Sequence, residues 1–186
     1  MITWLIVVAL IALTAGATRA AESAPQGPLD FSLTSNDGTA FPLASLKGKV
    51  VLLVNTASKC GLTKQYTALE ALHRARKDAG LVVIGIPANE FGAQEPGTDA
   101  EIREFCSTKY DVTFPLMRKT VVKGTGIDPL FQWLTVDSST KGEIAWNFTK
   151  FLIGRDGRLI ERFEPQTTPD DAAVTAAVDR ALAAKP

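Results

Sequence analysis

The chain has 186 residues, 46% of them hydrophobic, and carries 20 Lys and Arg against 20 Asp and Glu. That length fits one domain with a real core and needs no second, while a balanced charge without a basic stripe or a long charge run excludes a nucleic-acid binder and a membrane-surface binder. One histidine, His73, excludes a His-rich zinc site and argues against a triad built on it, so no metal and no other cofactor is expected.

Residues 1–14 are almost wholly apolar and are followed by two small-residue clusters, Ala15-Gly16-Ala17 and Thr18-Arg19-Ala20. Residues 1–20 therefore read as a secretory signal peptide, too short to span a bilayer comfortably, although no Lys or Arg precedes the apolar stretch. The expectation is an exported product, periplasmic for a bacterial source, with no stable membrane insertion after cleavage. An oxidising compartment permits the two cysteines to pair. Residues 21–29 read as a flexible lead, and the domain as residues 30–186.

Phe31 to Thr34 and Ala40 to Leu43 flank Ser35-Asn36-Asp37-Gly38, which predicts an N-terminal β-hairpin. Val50 to Val54 is an unbroken apolar run, the mark of a strand covered on both faces. A helical period over Leu62 to Lys77 ends at Ala79-Gly80, and Leu81 to Ile86 forms a second apolar run. Strands joined by one helix should lie parallel, with a right-handed crossover. His73 falls beside the stripe of Leu62, Tyr66, Leu69 and Leu72, as a rim histidine would. After a Gly- and Pro-rich loop over residues 87–97, Thr98-Asp99-Ala100-Glu101 opens a helix with a capping box, running toward Tyr110 with Cys106 inside it.

Val112 to Phe114 reads as a short extended piece and Asp128 to Thr135 as a short helix. Phe151 to Ile153 and Leu159 to Phe163 flank Arg155-Asp156-Gly157-Arg158, a second hairpin. Thr168-Pro169-Asp170-Asp171 then starts a final helix whose apolar face is Val174, Ala177, Val178, Ala181 and Leu182. A parallel unit followed by an antiparallel hairpin implies an α/β fold with a mixed central sheet and helices on both faces.

Cys60, in NTASKCGLT (residues 55–63), stands where the first central strand stops and a helix begins. Unpaired N–H groups, the positive end of the helix dipole and Lys59 would favour its thiolate. Taken alone, such a cysteine reads first as a small packing residue. The order of elements is that of a thioredoxin-like fold, yet the residue three positions on is Thr63, so the C-x-x-C dithiol is missing. A single thiol with a distant partner suits peroxide reduction, in which thiolate attack on the O–O bond gives a sulfenic acid that a second thiol condenses with. Cys106 is the sole candidate for that second thiol; its other reading is an inert buried cysteine.

Three motifs, in order, resemble those of the glutathione peroxidase family in its cysteine form: NTASKCGLT with Gln65-Tyr66 after it, PANEFGAQEPG (residues 87–97) and AWNFTKFLIGRDG (residues 145–157). The resemblance covers nearly all of residues 30 to 184. It implies that Cys60 is the peroxidatic thiolate, with Gln94, Trp146 and Asn147 as hydrogen-bonding partners that donate without titrating. It implies that Cys106 is the resolving cysteine, and because Cys106 lies inside a predicted helix, disulfide closure would require that helix to unwind locally. Ala88 stands where many relatives have a further Cys, and Glu90 replaces a common Gln. The short segment between Ile127 and Trp146 implies a monomer with an open site for hydrogen peroxide and organic or lipid hydroperoxides, recycled by a thioredoxin-like donor rather than by glutathione. Two other readings remain: a redox sensor or relay passing its disulfide to a partner, and an exported domain merely stapled by Cys60 and Cys106.

Overall fold

The computed structural model describes residues 25–185. The expected signal peptide and residues 21–24 of the lead lie outside them. The end of that lead is anchored: Pro28 and Leu29 are buried, and the Gln26 and Gly27 amides donate to Asp30 Oδ2 at 2.8 and 3.1 Å.

Strands β1 (Ser32–Thr34) and β2 (Ala40–Pro42) pair antiparallel as the expected hairpin. Gly38 takes φ 91° in its turn, a conformation that a side chain would strain. Strand β3 (Val50–Thr56) is buried at every residue, as its unbroken apolar run requires. Helix α1 (Gln65–Arg76) follows, and strand β4 (Leu81–Pro87) returns parallel to β3, in register from Val50 opposite Leu81 to Thr56 opposite Pro87.

Helix α2 (Asp99–Tyr110) starts on the predicted capping box, Thr98 Oγ1 accepting from the Glu101 amide at 3.3 Å while Glu101 Oε2 accepts from the Thr98 amide at 2.7 Å. It ends at Asp111, which takes the left-handed conformation with φ 52°. Helix α3 (Pro129–Gln132) runs into a π turn over Trp133–Asp137. Strands β5 (Lys150–Ile153) and β6 (Leu159–Phe163) form the second hairpin, and helix α4 (Ala172–Ala183) closes the chain.

The sheet order is β4-β3-β5-β6, with β5 antiparallel to both neighbours, so the sheet is mixed and the fold is thioredoxin-like. Alternation along β3 sends its side chains to opposite cores. Val50, Leu52 and Val54 pack with α1, α2 and α4, whereas Val51 and Leu53 pack with α3 and the N-terminal hairpin.

Three differences from the sequence reading have a visible local cause. Helix α1 begins at Gln65 rather than Leu62, because residues 58–64 are held in turns by Thr63. Helix α4 begins at Ala172, since Asp171 Oδ1 caps the Ala173 amide at 2.8 Å and leaves Pro169 outside. Val112 to Phe114 forms no strand; Thr113 is instead held by Glu70, whose Oε2 accepts from its amide at 2.8 Å and Oε1 from its hydroxyl at 2.6 Å.

Lys150 is fully buried on β5, and its Nζ donates to Pro165 O at 3.1 Å and Thr167 O at 2.6 Å. Gln65 Nε2 reaches the same Pro165 carbonyl at 2.7 Å, so α1 and β5 jointly pin that turn. Burial lowers the Lys150 pKa from 10.5 to about 8, against the pull of Glu164. Between those values the unfolded chain holds a proton that the folded chain has released, so this group makes stability rise with pH. Above about pH 9 the buried Cys106 thiol, pushed up to about 11, works the other way. Urea unfolding at pH 8 and pH 9 should therefore show a rise of about 1 kcal/mol in the native protein relative to Lys150→Met, in which the difference disappears.

Candidate active site

Three loops meet at the C-terminal ends of β3 and β4. The first leaves β3 at buried Ala57 and carries Ser58, Lys59 and Cys60. The Thr63 hydroxyl organises it, accepting from the Cys60 amide at 3.0 Å and lying 2.8 Å from Ala57 O and 2.7 Å from Cys60 O, its one proton serving either. The position that would complete a C-x-x-C thus carries a hydroxyl that shapes the turn. Cys60 is half-buried, and the Leu62 amide donates to its Sγ at 3.4 Å. Since α1 starts only at Gln65, Cys60 precedes the helix rather than occupying its first turn. The dipole fades beyond one turn, so the Leu62 N–H is the direct stabilising donor.

The second loop, residues 87–97, is fixed from within and from outside. Asn89 Oδ1 accepts from the Glu95 amide at 2.8 Å, and Glu90 Oε2 accepts from the Val122 amide at 3.0 Å, which gives Glu90 the task of holding the neighbouring loop. Ala93 takes φ 51°, a strained conformation for a residue with a Cβ, and delivers Gln94 into the site. The Lys59 amide donates to Gln94 O at 3.0 Å and joins this loop to the first.

The third loop carries Trp146 and Asn147. Asn147 is fully buried, and its Nδ2 donates to Gln94 Oε1 at 3.0 Å. Trp146 is 38% exposed and packs its ring against Phe91 with centroids 5.7 Å apart. Phe148 takes φ 68°, a second strained position, beside the paired amides. Asn55, at the end of β3, clamps this loop: its Nδ2 donates to Trp146 O at 3.2 Å, its Oδ1 accepts from the Thr149 amide at 2.9 Å, and its carbonyl accepts from the Phe148 amide at 2.6 Å.

The structure therefore joins Gln94 and Asn147 directly, ties Gln94 to the Cys60 loop through the backbone and the Asn147 loop to the end of β3 through Asn55, and places Trp146 at the rim. Among the described residues none of these three side chains donates to Cys60 Sγ; the Leu62 amide alone does. Cys106 is fully buried in α2, within the same apolar cluster that Cys60 packs against. Both thiols are free, and burial pushes that of Cys106 up to about 11. His73 is half-buried, edge-on to Phe114 at 6.0 Å, a rim histidine without a place in the site.

Asn55, Thr63 and Glu95, the last 1% exposed beside Gln94, all lie within the motifs, but the sequence assigns none of them a part in building the site. The available signal was polarity at the close of an apolar strand: a buried Asn at such a place needs partners, and they lie across the sheet.

The family model for glutathione peroxidase matches residues 29–135. The chain is 54% identical over 155 residues to the hydroperoxy fatty acid reductase Gpx2 of Synechocystis, covering 83% of this chain and 99% of that one. It is 43% identical over 169 residues to the thioredoxin/glutathione peroxidase BtuE of Escherichia coli, covering 79% and 92%. Among solved structures, Trgpx in its apo form superposes with a TM-score of 0.71 at 36% identity, over 87% of this chain and 99% of that one. The chain belongs to the glutathione peroxidase family and is a peroxidase.

Burial separates the two thiols chemically. With the reduced native protein, iodoacetamide at pH 8 should modify one thiol rapidly and the second only on unfolding. The fast phase should vanish in Cys60→Ser and survive in Cys106→Ser, as read by mass spectrometry; rapid labelling of Cys106 in the native state would contradict the burial described.

Proposed function

We propose that Cys60 attacks the peroxide bond, that Cys106 resolves the product, and that a thioredoxin-like dithiol protein resets the pair. Family membership makes the protein a thiol peroxidase acting on hydroperoxides. The observation that carries the assignment of thiols is that both cysteines are free and belong to one apolar cluster, Cys60 half-buried and Cys106 fully buried.

The Cys60 thiolate takes the distal oxygen of ROOH, the O–O bond breaks, and the departing RO⁻ leaves as ROH by taking from solvent the proton that the thiol gave up on ionising, while the sulfur becomes a sulfenic acid. The donors around the site are amides, an indole and a backbone N–H; they stabilise charge as that bond breaks without exchanging protons themselves. The Gln94 and Asn147 amides hold each other in place, and the Asn55 clamp and two strained residues fix the loops that carry them. Trp146, exposed at the rim, offers its ring and its N–H to the bound peroxide. Cys106 then condenses with the sulfenic acid and expels water, which requires the middle of α2 to open.

The name of the Synechocystis relative supports lipid hydroperoxides among the substrates, beside hydrogen peroxide. That of the Escherichia coli relative, which names both thioredoxin and glutathione, supports a thioredoxin-like reductant. The apolar N-terminal residues support export to the periplasm, and the short segment between Ile127 and Trp146 supports a monomer.

Peroxide consumption coupled to a thioredoxin system should be abolished in Cys60→Ser. In Cys106→Ser it should stop after about one equivalent per thiol. Sustained thioredoxin-coupled turnover by either variant would defeat the assignment. A stable mixed disulfide between Cys106→Ser and a specific client protein would point instead to a sensor or relay.

A further inference from the structure

A cleft of about 410 Å³ separates the Cys60 loop from α2; Ser58 and Lys59 line one side, Glu101 and Phe105 the other, and Glu95 lies between them. Glu95 is 1% exposed, and its Oε2 has no hydrogen-bond partner among the described residues. Three hydroxyls near it are buried and unpartnered in the same way: those of Thr56, Ser58 and Tyr66. The Tyr66 hydroxyl faces both the Cys106 thiol and the Thr56 hydroxyl, and Ser58 faces the Glu95 carboxyl. Glu95 is close enough for its charge to act on both Tyr66 and Cys106.

Burying a polar group without a partner is costly, so native proteins keep few of them and seldom without a purpose. Four together, Thr56 and Tyr66 on the side of Cys106 and Ser58 and Glu95 on the cleft beside the Cys60 loop, call for one. The mechanism above leaves a matching gap. Disulfide closure needs the Cys106 proton removed and a proton delivered to the oxygen leaving Cys60, and no group assigned so far does either.

We propose that Glu95 and Tyr66 form a proton relay for the second half of the cycle, carrying the Cys106 proton to the oxygen that leaves Cys60. The relay rests on the assignment of Cys60 and Cys106 made above. As α2 opens, Tyr66 passes its hydroxyl proton to the Glu95 carboxylate and takes the thiol proton of Cys106. The Cys106 thiolate attacks the Cys60 sulfur; the S–S bond forms and the S–O bond breaks, its electron pair leaving with oxygen. Glu95 returns the proton to that oxygen, and water departs. The Cys106 sulfur is oxidised and the sulfenic sulfur reduced, the oxidant being the hydroperoxide consumed in the first step.

The surroundings tune Glu95 for this. Burial raises its carboxyl above the ordinary 4.5, while Ser58, Lys119 from the loop after α2 and Lys59 from the Cys60 loop pull it down. On the far side stand Tyr66 of α1 and Cys106 and Glu101 of α2. The raised carboxyl is a stronger base than a free glutamate and so better matched to a thiol, yet still able to give the proton back. Lys119 Nζ donates to Glu95 O at 3.1 Å and Gly97 O at 2.7 Å and so fixes the backbone without neutralising the carboxylate.

The test separates the two half-reactions in a single turnover. Reduced protein is mixed with one equivalent of hydrogen peroxide, and quenched samples are assayed for sulfenic acid and disulfide from pH 5 to pH 10. In Glu95→Gln, disulfide closure near neutral pH should slow about tenfold or more with the loss confined to that step, and the difference should shrink as pH approaches the titration of Cys106 itself. Tyr66→Phe, which keeps the ring packing, should show the same pattern. In the native protein the closure rate should fall on acidification, with an inflection above the 4.5 of an ordinary glutamate. Closure at the native rate and with the native pH profile in Glu95→Gln would overturn the relay. If the variants do not fold, a native profile that follows thiol titration alone overturns it as well. Failure of Cys60 to form a sulfenic acid at all would instead strike the assignment of Cys60.

Discussion

Strand β3 is covered on both faces along its whole length, and this constraint decides where chemistry can be placed. A strand so enclosed has no free surface, so reactive groups can stand only where it ends and the chain turns out of the core. Asn55 and Thr56 occupy that end, and Cys60 lies four residues beyond. The same enclosure supplies the rigidity the site needs: the apolar residues of β3 anchor a polar terminus whose Asn55 holds the Trp146 loop across the β3–β5 pairing. The arrangement follows the general tendency of open α/β sheets to place their sites at the carboxyl ends of central strands.

Strain is concentrated at that edge. Ala93 and Phe148, both left-handed without being glycine, flank the residues that bring Gln94 and Asn147 together. Such positions cost on the order of 1–3 kcal/mol each and persist only where neighbours determine them fully. Here the neighbours are visible: Asn89 and Lys59 on the loop of Gln94, and Asn55 on the loop of Asn147. The amide pair is thus set by backbone geometry rather than by side-chain freedom, which is the preorganisation that the proposed donor role of Gln94 and Asn147 requires.

Much of this could be read from residue order. The two apolar runs, the Asp-Gly turns and the Thr98 capping box located β3, β4, both hairpins and α2, because each rests on local chemistry. The start of α1 was misplaced since Thr63, as a helical residue in the pattern, serves instead as a turn-forming hydroxyl bonded back to Ala57 and Cys60. Gln94 and Asn147 were found through motifs, yet their mutual hydrogen bond joins residues 53 positions apart and no local pattern contains it. Glu95 and Tyr66 were hidden for the same reason. Each looks ordinary in sequence, one an acid in a loop and the other an aromatic on a helical stripe, and that both end buried with an unpartnered oxygen is decided only when α1, α2 and the loop are packed.

With Cys106 in the resolving role proposed for it, helix α2 would carry the opposing demands of stability and turnover. Its first turn is pinned by the capping box and by Asp99 Oδ1, which accepts from the Lys119 amide at 2.7 Å. Its last turn relies on Asp111 and Arg74, an exposed pair of the kind that contributes little. Between these ends the Ser107 and Thr108 hydroxyls both bond back to the Glu104 carbonyl, at 3.0 and 2.7 Å, competing for an acceptor in the turn that contains Cys106. Opening is therefore cheapest from Cys106 toward Tyr110, where backbone bonds are already shared and the cap is solvated, and it leaves the cleft wall formed by Glu101 and Ile102 in place. On the resolving role proposed for Cys106, a helix fraying from this end would free the thiol while the groups facing the Cys60 loop keep their positions.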